Sequence, residues 1–232
     1  MIDINRHKFF LVQILKDIYA DIELSNYLGF KGGTALMFFY DLPRFSVDLD
    51  FNLLDTEKTD TVYEKVRKII LKYGNIFDEA KKFYGLIIVL DYAVYERKLK
   101  VEISKRLFND RYEIKNLLGI NVKVMVREDM FAHKLCALLD RDMVASRDIF
   151  DCWFFMHLQT PVNPAIIETR MGMSYPDYLQ KCIAHIESLS SRTLLSGLGE
   201  VTDDKMKKFA GAKLRTEAID LLRFYLKHPI VK

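Results

Sequence analysis

Cysteine is scarce in this chain of 232 residues. The three present, Cys136, Cys152 and Cys182, form no Cys-x-x-Cys pair and fall in stretches of helical periodicity, which argues against a disulfide framework and against a zinc site. The five histidines (His7, His133, His157, His185 and His228) are scattered and show neither a His-Glu-x-x-His motif nor ligand spacing, so transition-metal chemistry is not expected. Apolar runs are short: Tyr84–Leu90 falls far below the ~20 residues a membrane helix needs. Charge of one sign is not in excess either. Thirty-five Lys plus Arg against 32 Asp plus Glu leave +3, too weak a field to announce a nucleic-acid binder. The opening MIDINRHKFFLVQIL mixes acid and base before a short apolar patch and is followed by no small-residue cleavage site, so the expected location is the cytoplasm, with no membrane partner.

What is present is an ordinary globular composition, 50% hydrophobic and 29% charged, long enough for one large domain or two small ones. Phe10, Leu11, Ile14, Leu15, Ile18 and Ile22 recur at helical spacing and predict one helix from His7 to about Ser25. A short apolar strand, Tyr27–Lys31, meets Gly32-Gly33 and gives way to a helix through Tyr40. Ser46–Leu54 alternates as a half-buried strand, with Ser46, Asp48, Asp50 and Asn52 on the polar face. A helix over Thr59–Tyr73 follows, then strands over Phe83–Tyr92, Lys98–Ser104 and Asn121–Val126. Beyond Val126 the periodicity is helical throughout: Glu128–Leu139, Arg147–His157, Tyr178–Leu189 and Ala212–Leu226. The fold class read from this pattern is α+β, a mixed-sheet domain over 1–126 followed by a helical domain over 127–232.

Two features of the first half bear on chemistry. In Lys31-Gly32-Gly33-Thr34 a glycine pair between strand and helix lets backbone N–H groups approach a phosphate, and the helix N-terminus adds positive partial charge; the Thr34 hydroxyl offers a further donor. After thirteen intervening residues come Asp48-Leu49-Asp50, two carboxylates side by side on one strand face, where their repulsion calls for a hard cation such as Mg²⁺. Glu102, alternating with Val101 and Ile103, is a third carboxylate on a strand suited to lie beside the first; its plain alternative is an ion pair with Lys100, Lys105 or Arg106. On the predicted helix Glu128–Leu139, Lys134 emerges from the edge of an apolar stripe, and on the next, Arg147–His157, Arg147, Asp148 and Asp151 can pair at i,i+4. Basic residues flank Glu102 (Arg97, Lys98, Lys100, Lys105, Arg106) and gather near the C-terminus (Lys205, Lys207, Lys208, Lys213, Arg215, with Phe209 among them), two candidate tracks for an RNA backbone.

Taken in order, KGGTAL, RFSVDLDF, KVEISKR, REDMFAHKLCALLDR and ASRDIFDCW resemble the AbiEii/AbiGii nucleotidyltransferase toxins of the DNA polymerase β-like superfamily, from about Leu28 to Phe155. The resemblance implies a nucleotidyltransferase-like mixed sheet, with Mg²⁺ (Mn²⁺ as the alternative) and an NTP as substrate. It also implies transfer of a nucleoside monophosphate to RNA, notably the tRNA 3′ end, growth arrest and phage defence, and an antitoxin encoded by an adjacent gene. By position it assigns Gly32, Gly33 and Thr34 to the phosphate turn, Thr replacing the commoner Ser, and Ser46 to the nucleotide site. Asp48, Asp50 and Glu102 become the metal-binding and catalytic carboxylates, Glu102 standing where Asp is usual. Lys134, at the nucleotide phosphates, and Asp148, supporting the nucleotide site, are expected among the catalytic residues, with Arg147 binding the nucleotide. The alternatives are a nucleotidyltransferase acting on a small hydroxylated molecule and a non-catalytic NTP-binding module.

Overall fold

The computed structural model describes residues 3–140, 146–189 and 204–232, the last stretch with side chains from Met206 onward. The chain divides into two units, Met1–Leu107 with Arg111–Met125, and Phe108–Asp110 with Val126–Lys232. None of the described helices is long and apolar enough to cross a membrane.

The first unit is built on a seven-stranded mixed sheet. Its elements run α1 (Ile4–Ala20), α2 (Ile22–Tyr27), β1 (Leu28–Lys31), α3 (Gly32–Phe39), β2 (Leu49–Leu53), α4 (Thr59–Ile70), β3 (Asn75–Lys82), β4 (Gly85–Asp91), β5 (Leu99–Ser104), β6 (Tyr112–Leu117) and β7 (Ile120–Met125). The strand order is β3-β4-β5-β2-β1-β7-β6, parallel at β2–β5 and β1–β7 and antiparallel elsewhere. Alternation along the central strands buries Phe30, Leu49, Phe51, Leu53, Leu86, Ile88, Val101, Ile103 and Val124, which form one core with Leu11, Ile14, Leu15 and Ile18 of α1 and Val62, Val66 and Ile70 of α4. Tyr19 ties α1 to the sheet by donating its hydroxyl to the carbonyls of Leu28 (3.1 Å) and Lys123 (3.0 Å).

Three local departures from the sequence reading have physical causes. The single N-terminal helix is two, because Asp21 takes an extended conformation and accepts from the N–H groups of Glu23 and Leu24, capping a new start. The strand expected over Ser46–Leu54 begins only at Leu49: β1 offers it partners no further than Lys31, opposite Asp50, before turning into α3. Strands β3 and β6 are additions. Both are outermost, largely exposed, and carry charged residues where alternation would show.

The second unit is helical: α5 (Arg127–Cys136), α6 (Ser146–His157), α7 (Pro164–Met171), α8 (Tyr175–Ser188), α9 (Asp204–Ala212) and α10 (Leu214–Lys227). Phe131 stacks on Phe155 at 5.1 Å and meets Tyr225 edge-on at 5.8 Å. Tyr178 and Tyr225 place their hydroxyls on the carbonyls of Leu135 and Thr160, at 2.8 Å each. The three cysteines are free and buried in this core, and burial pushes the thiols of Cys136 and Cys182 up to about 12, which keeps them protonated.

Candidate active site

The parallel pairing of β2 and β5 decides the geometry. Asp50 stands opposite Glu102 in register, with Leu49 opposite Val101 and Phe51 opposite Ile103, so both carboxylates leave the sheet on the face away from the buried core. Asp48, two residues before Asp50, adds a third negative charge. Burial, then the charges of Asp48 and Glu102, raise the Asp50 carboxyl above the usual carboxylate range, with Lys100 and Lys31 opposing. Lys31 is directly opposite Asp50 on β1.

The glycine turn is shaped around this carboxylate. Gly32 has φ +82°, a region that favours glycine, and a β-carbon there would lie 2.3 Å from Asp50 Oδ2. A β-carbon on Gly33 would meet Ser46 Oγ at 2.6 Å and the Arg44 guanidinium at 3.1 Å. Arg44 is itself buried and donates to the Phe45 carbonyl at 3.2 Å. The sequence reading passed over Arg44, although it stands inside RFSVDLDF; nothing in its spacing marks a guanidinium that folds back onto a glycine turn.

Residues Ser46–Asp48 lack strand partners and are held by side chains instead. Thr34 is buried, and its hydroxyl donates to the Asp48 carbonyl, so the proton expected to reach a phosphate fixes the backbone of a site aspartate. His7, also buried, donates from Nε2 to the Val47 carbonyl at 2.8 Å and accepts at Nδ1 from the Tyr92 hydroxyl at 2.7 Å, since a carbonyl can only accept. Burial lowers its pKa below the ordinary histidine value. At the far end of β2, Asn52 donates to the Tyr112 hydroxyl at 2.8 Å, and the Tyr112 ring fills the space over Gly29, where a β-carbon would come within 2.2 Å. The site face is therefore closed at Asn52.

Glu102 also makes the ordinary pairing that its neighbours offered: Lys100 Nζ lies 2.8 Å from its Oε2. Glu102, Asp48 and Asp50 hold the Lys100 ammonium above its usual range against the opposing effect of burial. Among the described residues no three His, Cys, Asp or Glu side chains make a ready metal cage. Mg²⁺ characteristically takes one or two carboxylates and completes its shell with water and substrate phosphates. The hard oxygens of Asp50 and Glu102, in register on neighbouring strands and within electrostatic reach of Asp48, fit that donor chemistry.

In the second unit the structure brings Lys134, Asp148 and Asp151 together. Lys134 Nζ is 2.8 Å from Asp151 and 3.3 Å from Asp148, whose carboxylates are at most 1% exposed, while the lysine side chain is 17% exposed. Asp151 pairs with Lys134 of α5, and Arg147, its i,i+4 neighbour, is half-buried. The two basic stretches also make contacts within the chain. Lys98 pairs with Asp91. In the C-terminal group Phe209 packs on Trp153 at 4.6 Å and Arg215 donates to the Glu187 carbonyl, and the Lys205 side chain lies outside the described residues.

Comparison with known proteins supplies the family. The model of the nucleotidyl transferase AbiEii toxins, a type IV toxin–antitoxin system, matches residues 13–218. The chain belongs to the AbiEii nucleotidyltransferase toxin family. Its fold is shared with two solved structures from Helicobacter pylori. One, described as a candidate nucleotidyltransferase, has a TM-score of 0.61 at 22% identity and covers 94% of this chain and 96% of its own. The other, JHP933, has a TM-score of 0.52 at 20% identity and covers 95% and 94%. No curated protein matches the chain. The chain is thus a member of a nucleotidyltransferase toxin family, and its α/β fold with a mixed sheet is similar to that of these structures.

Proposed function

We propose that the carboxylate face of the first unit transfers a nucleoside monophosphate from an NTP to an RNA hydroxyl, the tRNA 3′ end, in a Mg²⁺-dependent reaction. Growth arrest in phage defence would follow, opposed by an antitoxin encoded next door. The observation that supports this reading most is the register that sets Glu102 beside Asp50, with Asp48 adjacent and the Gly32-Gly33 turn against them.

In the proposed reaction the acceptor oxygen forms a bond to the α-phosphorus, the bond from that phosphorus to the β-bridging oxygen breaks, and pyrophosphate leaves with the electron pair. The hydroxyl proton passes to Glu102, and removing one such proton acceptor typically costs ~10²–10⁴-fold in rate. Asp48, Asp50 and Glu102 would hold the Mg²⁺, which when bound neutralises charge on the transferring and leaving phosphates. In this reading the N–H groups of the Gly32-Gly33 turn bind the phosphates, with Ser46 and Arg44, which lie beside Gly33, as further donors.

The test is incubation with total tRNA, Mg²⁺ and each α-labelled NTP in turn, alongside Asp48→Ala and Asp50→Ala proteins. Label is expected in RNA with wild type and one preferred NTP, and in neither variant. Absence of label with all four NTPs would remove tRNA as acceptor, and label entering a small hydroxylated molecule instead would redirect the assignment.

A further inference from the structure

The turn between β3 and β4 carries side chains that turn geometry does not ask for. Tight hairpins favour Asn, Asp and Gly, which suit the backbone and are well solvated. Here Lys82 pairs with Gly85, and the two residues between them are Phe83 and Tyr84, 82% and 61% exposed. Their rings meet edge to face at 4.7 Å, and the Arg106 guanidinium lies 5.7 Å from the Tyr84 ring centre. The Lys105 N–H donates to the Tyr84 carbonyl at 2.9 Å, extending the β4–β5 ladder past its last pair, Gly85 and Ser104. Lys82 and Lys105 thus neighbour the two exposed aromatic residues in chain and register, and Arg106 lies over the Tyr84 ring, while Asp60 is engaged by Lys81.

The cluster lies at the end of the β4–β5 ladder that carries Glu102. The register sets Ile87 opposite Glu102 and Gly85 opposite Ser104, so Glu102 and Ser104 share the face away from the buried Leu86, Ile88, Val101 and Ile103; Tyr84 and Lys105, opposite one another just past the last pair, alternate to the other face, and the Arg106 guanidinium reaches the Tyr84 ring at the sheet's end. Four residues from Glu102 to Arg106 span about 13 Å at ~3.3 Å each. That is the length of about four stacked nucleotides at ~3.4 Å each. Gly85 and Ser104, both small, lie between.

We propose that Phe83 and Tyr84, with Lys82, Lys105 and Arg106, form a stacking platform for unpaired bases of the RNA acceptor strand, whose terminal hydroxyl lies at Glu102. The proposal rests on the transfer reading of that site and adds where the acceptor binds. Exposed aromatic faces accept any base, and the three cations match a phosphate backbone. A protein partner would need an acidic surface to do the same.

The test uses the full chain, a short labelled single-stranded RNA ending in CCA, and fluorescence anisotropy across a salt series. A Phe83→Ala/Tyr84→Ala protein is expected to bind about 10- to 100-fold more weakly, as loss of base stacking predicts. Phe83→Trp retains the affinity, which separates stacking from hairpin misfolding. Lys105→Gln/Arg106→Gln flattens the slope of log affinity against log salt by ~0.7 for each phosphate no longer neutralised. Wild type that fails to bind the RNA, or an alanine protein that binds it as tightly as wild type, overturns the platform. So does loss of a protein partner's binding with RNA affinity intact. Platform-dependent RNA binding without nucleotide incorporation sinks the transfer reading alone, whereas incorporation with KM for RNA unchanged in the alanine protein sinks the platform alone.

Discussion

Replacing Lys134 by Met tests what that lysine does in the helical unit. Its ammonium is held by two carboxylates, Asp151 at 2.8 Å and Asp148 at 3.3 Å, both almost fully out of solvent. Methionine keeps the length and apolar stem of lysine and removes only the cation. Taking one partner out of a buried ion pair costs about 3–5 kcal/mol, because the remaining charge stays desolvated. At ~2–4 °C of Tm per kcal/mol for chains of this size, Lys134→Met is expected to melt roughly 10 °C below wild type. Thermal unfolding followed by circular dichroism reads this directly. A Lys134→Met/Asp151→Asn protein should recover part of the loss, and the cycle of single and double variants isolates the coupling. A single variant melting together with wild type would refute the reasoning.

Three further outcomes follow from the first unit. Gly32→Ala meets both a positive φ and the Asp50 carboxylate 2.3 Å from the new β-carbon, so it should cost at least ~1–3 kcal/mol of stability and abolish transfer; an active, stable alanine protein would show that the turn is not shaped around Asp50. His7 is buried and neutral when folded, with its pKa below the unfolded value. Below about pH 6.5 the unfolded chain therefore binds the extra proton and stability falls with pH; Tm against pH should drop through this range in wild type and more shallowly in His7→Gln. Lys100→Met removes the ammonium bound to Glu102, so less Mg²⁺ should be needed to raise Tm than in wild type; an unchanged or higher requirement would mean that Lys100 does not compete with the metal.

The sequence revealed those parts of the fold in which one face of an element is buried and the other is not. β4 and β5 alternate cleanly because one face of each meets the core, and from that alternation the shared direction of Asp50 and Glu102 was legible before their pairing was known. The edge strands β3 and β6 escaped because exposure on both faces leaves no period, only charge. Asp21 split a helix whose apolar stripe runs unbroken through it, a capping effect that periodicity does not record. At the site, residue types carried the carboxylates and the glycine turn. The use of Thr34 and His7 to hold Ser46–Asp48 in place depends on interactions across 14 and 40 positions of chain, beyond any local pattern. Lys134 was singled out in the sequence, but its two carboxylate partners emerge only when α5 and α6 pack.

The central claim is that the β2–β5 register assembles the chemistry, and Glu102→Gln tests it most directly. Its rate of label incorporation from the preferred NTP into RNA should be measured beside Asp50→Asn and Ser104→Ala, the next outward residue on the same strand face, with Tm recorded for each. A loss of ~10²–10⁴-fold in Glu102→Gln, matching Asp50→Asn, with Ser104→Ala near wild type and all three folded, is the predicted result. Wild-type incorporation by a folded Glu102→Gln protein would contradict the account.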